Sequence, residues 1–274
     1  MIDKIKKFLS SLLFIKRTRF QPHVSFKYTK RNGAIFRVAA VQIKFQTFKN
    51  VRDFYYSVLK KVKEAKEQGA QLICFPKGMN LELQPISHDI MSVSQCTHIS
   101  ELYSKVFTDI STNEEVYVSE AQKWRNGVVK SIWTPDGRRL TGNIMNCGGR
   151  RISFLEENYT QDDKIELVLN PSMTHFWMGD YESFRSAWLF SQQMYVYSVE
   201  SYMVGNYKGT QFSGKSGIYG PIEVTNSQNG ILALSKSENL EDLIVAELNF
   251  TDLERVSNLV RDKGYERLLS NDKL

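Results

Sequence analysis

The sequence predicts an α/β fold in which buried strands alternate with amphipathic helices. Apolar runs typical of buried strands occur at residues 38–43 and 72–75. Between them, residues 51–68 repeat apolar side chains at helical spacing, with Phe54 and Val58 on one face. An apolar fraction of 42% and a charged fraction of 24% are those of an ordinary globular protein, and 274 residues are enough to bury a full core.

The remaining predicted elements continue this alternation along the chain. A helix is expected at residues 99–110, where apolar residues recur every three or four positions, and Arg125-Asn126-Gly127 predicts a turn between two strands. No internal repeat and no linker rich in Pro, Gly or Ser interrupts the pattern, so we expect one domain over residues 34–274. The other predicted elements are a helix at 182–193 and strands at 116–119, 128–133, 195–200, 216–219, 230–235 and 243–248.

Residues 1–33 form a basic extension before this domain. Apolar residues, including Ile2, Ile5 and Leu9, recur at helical spacing and predict a short amphipathic helix. The helix is too short to span a bilayer and lacks a small-residue cleavage site, so we expect it to pack on the domain or a partner subunit, or to bind an acidic membrane surface. Nucleic acid is disfavoured because no recognised motif accompanies the charge. Only Asp3 opposes the basic residues Lys4, Lys6, Lys7, Lys16, Arg17, Arg19, Lys27, Lys30 and Arg31.

The cysteines and histidines indicate no metal site. The three cysteines (Cys74, Cys96 and Cys147) are widely spaced and form no Cys-x-x-Cys pair, which argues for a reducing compartment and against a disulfide framework. We therefore expect no metal, no cofactor and a cytoplasmic protein, peripheral to the membrane if the N-terminal helix binds lipid. The four histidines, His23, His88, His98 and His175, share no ligand spacing.

Several segments occur in the order seen in one enzyme family. The second predicted strand ends in Phe75-Pro76-Lys77, a later strand closes on Pro135-Asp136-Gly137, and another ends in Asn170-Pro171-Ser172. From about Phe36 to Leu269, this order resembles the nitrilase, or carbon-nitrogen hydrolase, superfamily. The resemblance implies a four-layer α-β-β-α sandwich and a homodimer, with the helix at residues 182–193 near the shared face. It also implies that His175 lines the remaining pocket.

The resemblance also identifies a Glu-Lys-Cys triad, of which this chain lacks clear members. In the family, a thiolate attacks an amide or nitrile carbon, a carboxylate moves the proton and an ammonium stabilises the developing charge. Lys77 stands at the glutamate position, and an ammonium cannot accept a proton. The family's stretch between the Pro-Asp-Gly turn and the nucleophile is largely missing. Its basic residues here are Arg138 and Arg139, so no lysine can be assigned.

Cys147 is the candidate nucleophile by its distance from Pro171. Its surroundings differ from those of the family's cysteine, because two glycines follow it instead of an aromatic residue and an aspartate. If Phe154-Leu155-Glu156 matches the family's Phe-Pro-Glu, the nucleophile position falls nearer Gly149. Glu82 is a second candidate carboxylate from a shifted loop, although a solvated or salt-bridged glutamate is the favoured interpretation.

We therefore interpret the chain as a divergent nitrilase-like protein with a degraded triad, which has lost hydrolysis and acts as a binding or scaffolding module. Two alternatives remain open. One is an active carbon-nitrogen hydrolase of the amidase type with the thiol of Cys147 as nucleophile. The other is a membrane-surface protein that works through its N-terminal helix.

Overall fold

Two β-sheets lie face to face in the computed structural model, which describes residues 35–86, 93–124, 127–155, 165–174 and 187–259. The first sheet has the strand order β5-β4-β3-β2-β1-β13 and the second β6-β7-β8-β9-β11-β12, with β10 beside β9. The strands are β1 Ile35–Lys44, β2 Leu72–Lys77, β3 Tyr117–Trp124, β4 Gly127–Trp133, β5 Arg139–Leu140, β6 Ile144–Cys147, β7 Arg150–Phe154, β8 Leu167–Ser172, β9 Tyr197–Tyr207, β10 Thr210–Phe212, β11 Gly217–Tyr219, β12 Ile231–Leu234 and β13 Asp242–Asn249.

Helices cover the outer faces of both sheets. On the first sheet lie α1, Val51–Glu67, and α2, Val93–Glu114; on the second lies α3, Leu189–Met194. Helix α1 begins after Asn50, whose side chain caps the helix by accepting a hydrogen bond from the Asp53 backbone N–H at 2.9 Å. Short 3₁₀ helices span Met79–Ile86 and Ile222–Val224, and residues 250–259 are helical. The arrangement is the sandwich that the resemblance predicts.

The apolar core is divided into two layers by the first sheet. The inner layer lies between the sheets and contains fully buried side chains such as Val38, Leu72 and Leu169. The outer layer lies beneath α1 and α2 and contains Phe54, Val58 and their neighbours. Because side chains alternate along a strand, each strand of the first sheet contributes to both layers, which explains its continuous apolar runs.

The predicted helices and strands correspond to observed elements, but the short strands β5 and β10 were not predicted and β9 continues to Tyr207. Helix α2 begins at Val93, earlier than residue 99, and ends at Glu114. The hairpin of β6 and β7 was not predicted at all. The N-terminal helix and residues 182–186 of the predicted helix at 182–193 lie outside the described residues, and the later part of that predicted helix coincides with α3. No helix in the described part of the chain is both long and apolar enough to cross a membrane.

Candidate functional site

Six strands end at one edge of the molecule. Strands β1, β2 and β3 are mutually parallel, as are β7, β8 and β9, and β1 meets β9 in parallel at Ile43 and Lys44. The carboxyl ends of all six therefore lie on the same side, here called the carboxyl edge. Side chains at the carboxyl ends of neighbouring parallel strands converge, so this edge is where the fold gathers functional groups.

Lys77 is the last residue of β2 and lies at the carboxyl edge. Cys74 pairs with Ser119, but Lys77 pairs with Ala121, so β2 has one residue more than β3 over this interval. This irregularity reverses the side-chain alternation of β2 and turns Lys77 to the face shared by Cys74 and Ala121. That face is the inner one, because Cys74 belongs to the core between the sheets.

Lys130 lies in the same row as Lys77. Ala121 pairs with Lys77 on one side and with Lys130 of β4 on the other. The two lysines are thus two strand spacings apart, about 10 Å between their Cα atoms. Lys130 reaches across to the second sheet, where its Nζ donates a hydrogen bond to the backbone oxygen of Leu155 at 2.9 Å and lies 5.8 Å from the centre of the Phe154 ring.

Lys130 therefore stands beside the carboxyl end of β7, although it was not predicted as a site residue. The resemblance implies a lysine after the Pro-Asp-Gly turn, whereas Lys130 precedes this turn. A signal for it was present: Lys130 and Ile132 share the inward face of an alternating strand, and a lysine on such a face must reach a polar partner.

Cys147 lies at the opposite edge from Lys77. It ends β6, which is antiparallel to β7, and pairs with Arg150 at the start of β7. The length of β7, about 13 Å, therefore separates the Cys147 position from the carboxyl edge. The next residue, Gly148, donates its N–H to the hydroxyl of Tyr117, the first residue of β3, at 2.9 Å. The structure does not bring Lys77 and Cys147 together.

The Cys147 thiol is fully buried in the core between the sheets. Burial raises its pKa to about 12, so the thiol is protonated at neutral pH. Cys74 lies much closer to Lys77, but burial also raises the pKa of its thiol, to about 11. The Ser119 hydroxyl donates to the Cys74 sulfur at 3.6 Å. Both are structural thiols of low reactivity.

Gly149, the position indicated by matching Phe154-Leu155-Glu156 to Phe-Pro-Glu, lies in the turn between β6 and β7. It is therefore at the same edge as Cys147, away from Lys77. The residue that follows β7 at the carboxyl edge is Leu155, whose N–H donates to the backbone oxygen of Leu169 at 2.9 Å. Glu156 and His175 lie outside the described residues.

Glu82 is buried near the carboxyl edge, on the helix-covered side of the first sheet. Its side chain is 1% exposed and accepts a hydrogen bond from the backbone N–H of Gln46 at 3.0 Å. Burial raises the pKa of this carboxyl to about 8. The interpretation of Glu82 as solvated or salt-bridged was wrong, because within the described residues it is enclosed and makes no ion pair.

Another buried carboxylate, Glu200 of β9, holds the end of β8 by hydrogen bonds. One oxygen accepts hydrogen bonds from Asn170 Nδ2 at 2.6 Å and from the Tyr202 hydroxyl at 3.0 Å, and the Ser172 hydroxyl lies 3.4 Å away. These partners include the Asn and Ser of the Asn170-Pro171-Ser172 segment. The segment therefore fixes the end of β8 against β9.

No set of residues suited to hold a metal ion occurs in the described ranges. His98 is on the surface of α2, where its Nδ1 lies 3.8 Å from the carboxylate of Glu101. The other three histidines fall outside those ranges.

Among the comparisons with known proteins, the one with solved structures supports the fold. No protein-family model and no curated protein matches the sequence. Among solved structures, a mutant of the amidase from Nesterenkonia AN1, from the nitrilase superfamily, matches with a TM-score of 0.59 and 16% identity, over 83% of this chain and 96% of that chain. A double mutant in complex with acrylamide matches with a TM-score of 0.58 and 16% identity, over 84% and 98% of the respective chains.

Another mutant of the same amidase carries the acetamide moiety of fluoroacetamide covalently at its active-site cysteine. It matches with a TM-score of 0.59 and 16% identity, over 83% of this chain and 96% of that chain. At this identity the likeness establishes the fold, while the chemistry has to be argued from the residues of this chain.

Proposed function

We propose that this chain, which has the fold of the nitrilase superfamily, is a pseudoenzyme that binds a ligand or partner without hydrolysing amides or nitriles. The observation that supports the proposal most strongly is the row Lys77, Ala121 and Lys130 at the carboxyl edge. The position at which the family has a proton-accepting carboxylate is occupied by an amine, and a second amine stands two strands away.

Hydrolysis by the family's route requires a base beside a thiol. A lysine can act as a base only if its pKa falls well below its usual value near 10.4. A thiol beside it would also be needed, and the two cysteines whose side chains are described, Cys74 and Cys147, are buried with raised pKa values. Leu155, which follows β7 next to the Lys130 ammonium, has no nucleophilic atom.

The same arrangement favours an anionic ligand. Two ammonium groups on one face of a sheet lower the energy of a bound carboxylate or phosphate and disfavour a cationic ligand. Their separation of about 10 Å suits an extended ligand that contacts both amines or one that contacts Lys77 alone. The binding function is thus proposed to use the same edge that catalysis uses in the superfamily.

The decisive experiment is an activity screen of the purified full chain. A panel of aliphatic and aromatic amides and nitriles is incubated with the wild type and with Cys147→Ala, and ammonia release is measured. We expect no turnover by either protein. Turnover by the wild type that disappears in Cys147→Ala would instead establish the amidase alternative and require Cys147 to leave the core.

A positive arm tests the binding function. Small carboxylates and phosphates are titrated into the wild type, Lys77→Met and a surface control, Lys105→Met, while thermal stability is monitored. We expect ligands that raise the Tm of the wild type and the control but not of Lys77→Met. Equal stabilisation of all three proteins would show that binding occurs elsewhere.

We further propose that the protein is a cytoplasmic homodimer that associates reversibly with acidic membrane surfaces through residues 1–31. The basis for membrane association is the excess of basic residues in that extension, where Asp3 alone is acidic, and the homodimer is what the resemblance to the superfamily implies. The membrane-surface alternative assigns the whole function to this segment.

A further inference from the structure

The first sheet ends in a long apolar edge strand, β13. Its eight residues pair with β1 in an uninterrupted antiparallel register. Within the described part of the chain, no strand pairs with its other side. Residues 243–246, Leu-Ile-Val-Ala, form a continuous apolar run, and all four side chains are half-buried. Proteins usually protect an edge strand by shortness, a proline, a bulge or a charge, and residues 243–246 have no such protection.

The hydrogen bonds of β1 show which backbone groups of β13 point away from the sheet. Arg37 faces β2, because its N–H donates to Gln71 Oε1 at 3.1 Å and its carbonyl oxygen accepts from the Gln71 N–H at 2.9 Å. Arg37 and Glu247 are therefore a non-hydrogen-bonded pair, and Val245, two residues before Glu247, has the same orientation. The N–H and C=O groups of Val245 and Glu247 point outward and have no hydrogen-bond partner among the described residues.

The chain that precedes β1 contains a sequence typical of a strand. In residues 24–30, Val-Ser-Phe-Lys-Tyr-Thr-Lys, the apolar Val24, Phe26 and Tyr28 alternate with polar residues. β-Branched and aromatic residues favour strands, and Pro22 favours a break before the segment. The period of two distinguishes this segment from the helical spacing of the apolar residues nearer the N-terminus.

The segment 24–30 is tethered close to the outer edge of β13. Strand β1 begins at Ile35, opposite Asn249, the last residue of β13. A strand added beyond β13 would lie about 10 Å from β1, and the connection from Lys30 to Ile35 can span up to about 17 Å. The other side of β1 is occupied, because β2 pairs with it from Val38 onward.

We propose that residues 24–30 form a strand that pairs with the outer edge of β13 and extends the first sheet. The segment must end near the start of β1, where β13 also ends, so the two strands run in parallel. Its backbone bonds to the outward N–H and C=O groups of Val245 and Glu247. Its alternate apolar side chains cover Ile244 and Ala246, which border the core between the sheets.

The added strand determines where the basic extension leaves the domain. Strand β1 begins at the edge opposite the carboxyl edge, whereas β13 begins at the carboxyl edge, with Asp242 opposite Gln42. A strand parallel to β13 also begins there, so residues 1–23 emerge at the edge that carries Lys77. The basic side chains of the extension and the Lys77 amine therefore lie on one side of the molecule.

Residue-resolved amide hydrogen exchange of the full chain tests the added strand. The N–H groups of Val245 and Glu247 point outward, whereas those of Ile244 and Ala246 point to β1 and serve as internal references. We expect all four amides to exchange slowly in the wild type, together with alternate amides of residues 24–30. Fast exchange of Val245 and Glu247 beside slow references would overturn the proposal.

Two double substitutions identify the segment that protects the edge. One N–H of Phe26 and Lys27 faces β13 in either orientation of the strand, so Phe26→Pro/Lys27→Pro removes a pairing bond. We expect this variant to exchange Val245 and Glu247 about ten-fold faster or more, with the references unchanged. The control Phe26→Val/Lys27→Thr keeps the alternation and the slow exchange. Slow exchange that persists in the proline variant, or that is lost when the wild type is diluted to a monomer, would assign the edge to another segment or to a second copy and overturn the proposal.

Discussion

Lys77 differs from the carboxylate expected at its position by the sign of its charge, and the residues around it determine what that change means. A lone substitution would leave the rest of the triad intact. Here β4, two strands away, contributes a second amine, Lys130, and the residue that follows β7, Leu155, has no thiol. The amine at position 77 therefore shares its face of the first sheet with a second amine.

The first residue-scale prediction concerns the local field of Lys130. A cysteine introduced as Leu155→Cys would lie beside the Lys130 ammonium, which lowers the pKa of a nearby thiol. We expect its pKa to be about 1 unit lower than that of the same cysteine in Leu155→Cys/Lys130→Met. The rate of alkylation by iodoacetamide between pH 6 and 10 measures both values. Identical profiles would show that the ammonium does not act on this position.

The second residue-scale prediction concerns the buried Glu82. Its folded-state pKa of about 8 lies above the unfolded value near 4.5, so the folded protein binds the extra proton between these values. The resulting stabilisation is complete below about pH 4.5 and is lost as the pH rises through 8. We expect Glu82→Gln to be more stable than the wild type by about 1–3 kcal/mol at pH 9 and nearly equal at pH 5.

Urea unfolding at the two pH values tests this prediction. The control is Glu223→Gln, a substitution in the short 3₁₀ helix Ile222–Val224, where the side chain is exposed. A pH-independent difference between Glu82→Gln and the wild type would mean that Glu82 is ionised in the folded protein.

At the scale of elements, the β6–β7 hairpin explains why Cys147 is far from Lys77. Gly148 and Gly149 form its two-residue turn, with φ values of 59° and 79°. Two consecutive positive φ values are typical of a type I′ hairpin turn, for which Gly-Gly is a favoured sequence. The hairpin was therefore predictable from the sequence, and recognising it would have placed Cys147 beside the start of β7, at the edge opposite the carboxyl edge.

A matched pair of substitutions tests the role of this turn. A Cβ atom at Gly148 would lie 3.0 Å from the Phe36 ring, whereas one at Gly149 would meet nothing within 4 Å. Both positions strain a non-glycine residue, so we expect Gly149→Ala to cost about 1 kcal/mol and Gly148→Ala about 2 kcal/mol. Denaturant unfolding measures the difference. Equal costs would show that the Phe36 ring moves aside freely.

Other features could not be inferred at this scale. The alternation of helices and strands followed from hydrophobic periodicity, which local sequence determines. The β2 irregularity near Pro76 depends on the register with β3, and the alignment of Lys77 with Lys130 depends on the order of three strands. The register of two strands and the alignment of their side chains depend on pairing between distant segments, so a local sequence pattern does not predict them.

At the scale of the whole molecule, the basic extension gives the protein a way to reach a membrane surface. Each basic residue near an anionic surface contributes about 1 kcal/mol, and salt weakens this attraction. We expect the full chain to co-sediment with vesicles containing phosphatidylserine at low ionic strength, and a version that starts at Ala34 to remain in the supernatant. Neutral vesicles are the control. Equal sedimentation of both versions with acidic vesicles would assign the extension to another role.

The position of β1 in the sheet sets the order in which its neighbouring strands can pair during folding. This strand pairs with β2 on one side and with β13 on the other, so that Arg37 lies opposite Glu247, and its end meets β9. The pairing of β1 with β13 closes a long loop of the chain. Such a loop closes slowly, because the chain loses conformational entropy before the distant contacts form. During synthesis, β1 emerges long before its second neighbour, because Arg37 and Glu247 are 210 residues apart along the chain. A ribosome that stalls before β13 therefore exposes an unpaired strand edge, the kind of surface that chaperones bind and that aggregates form on.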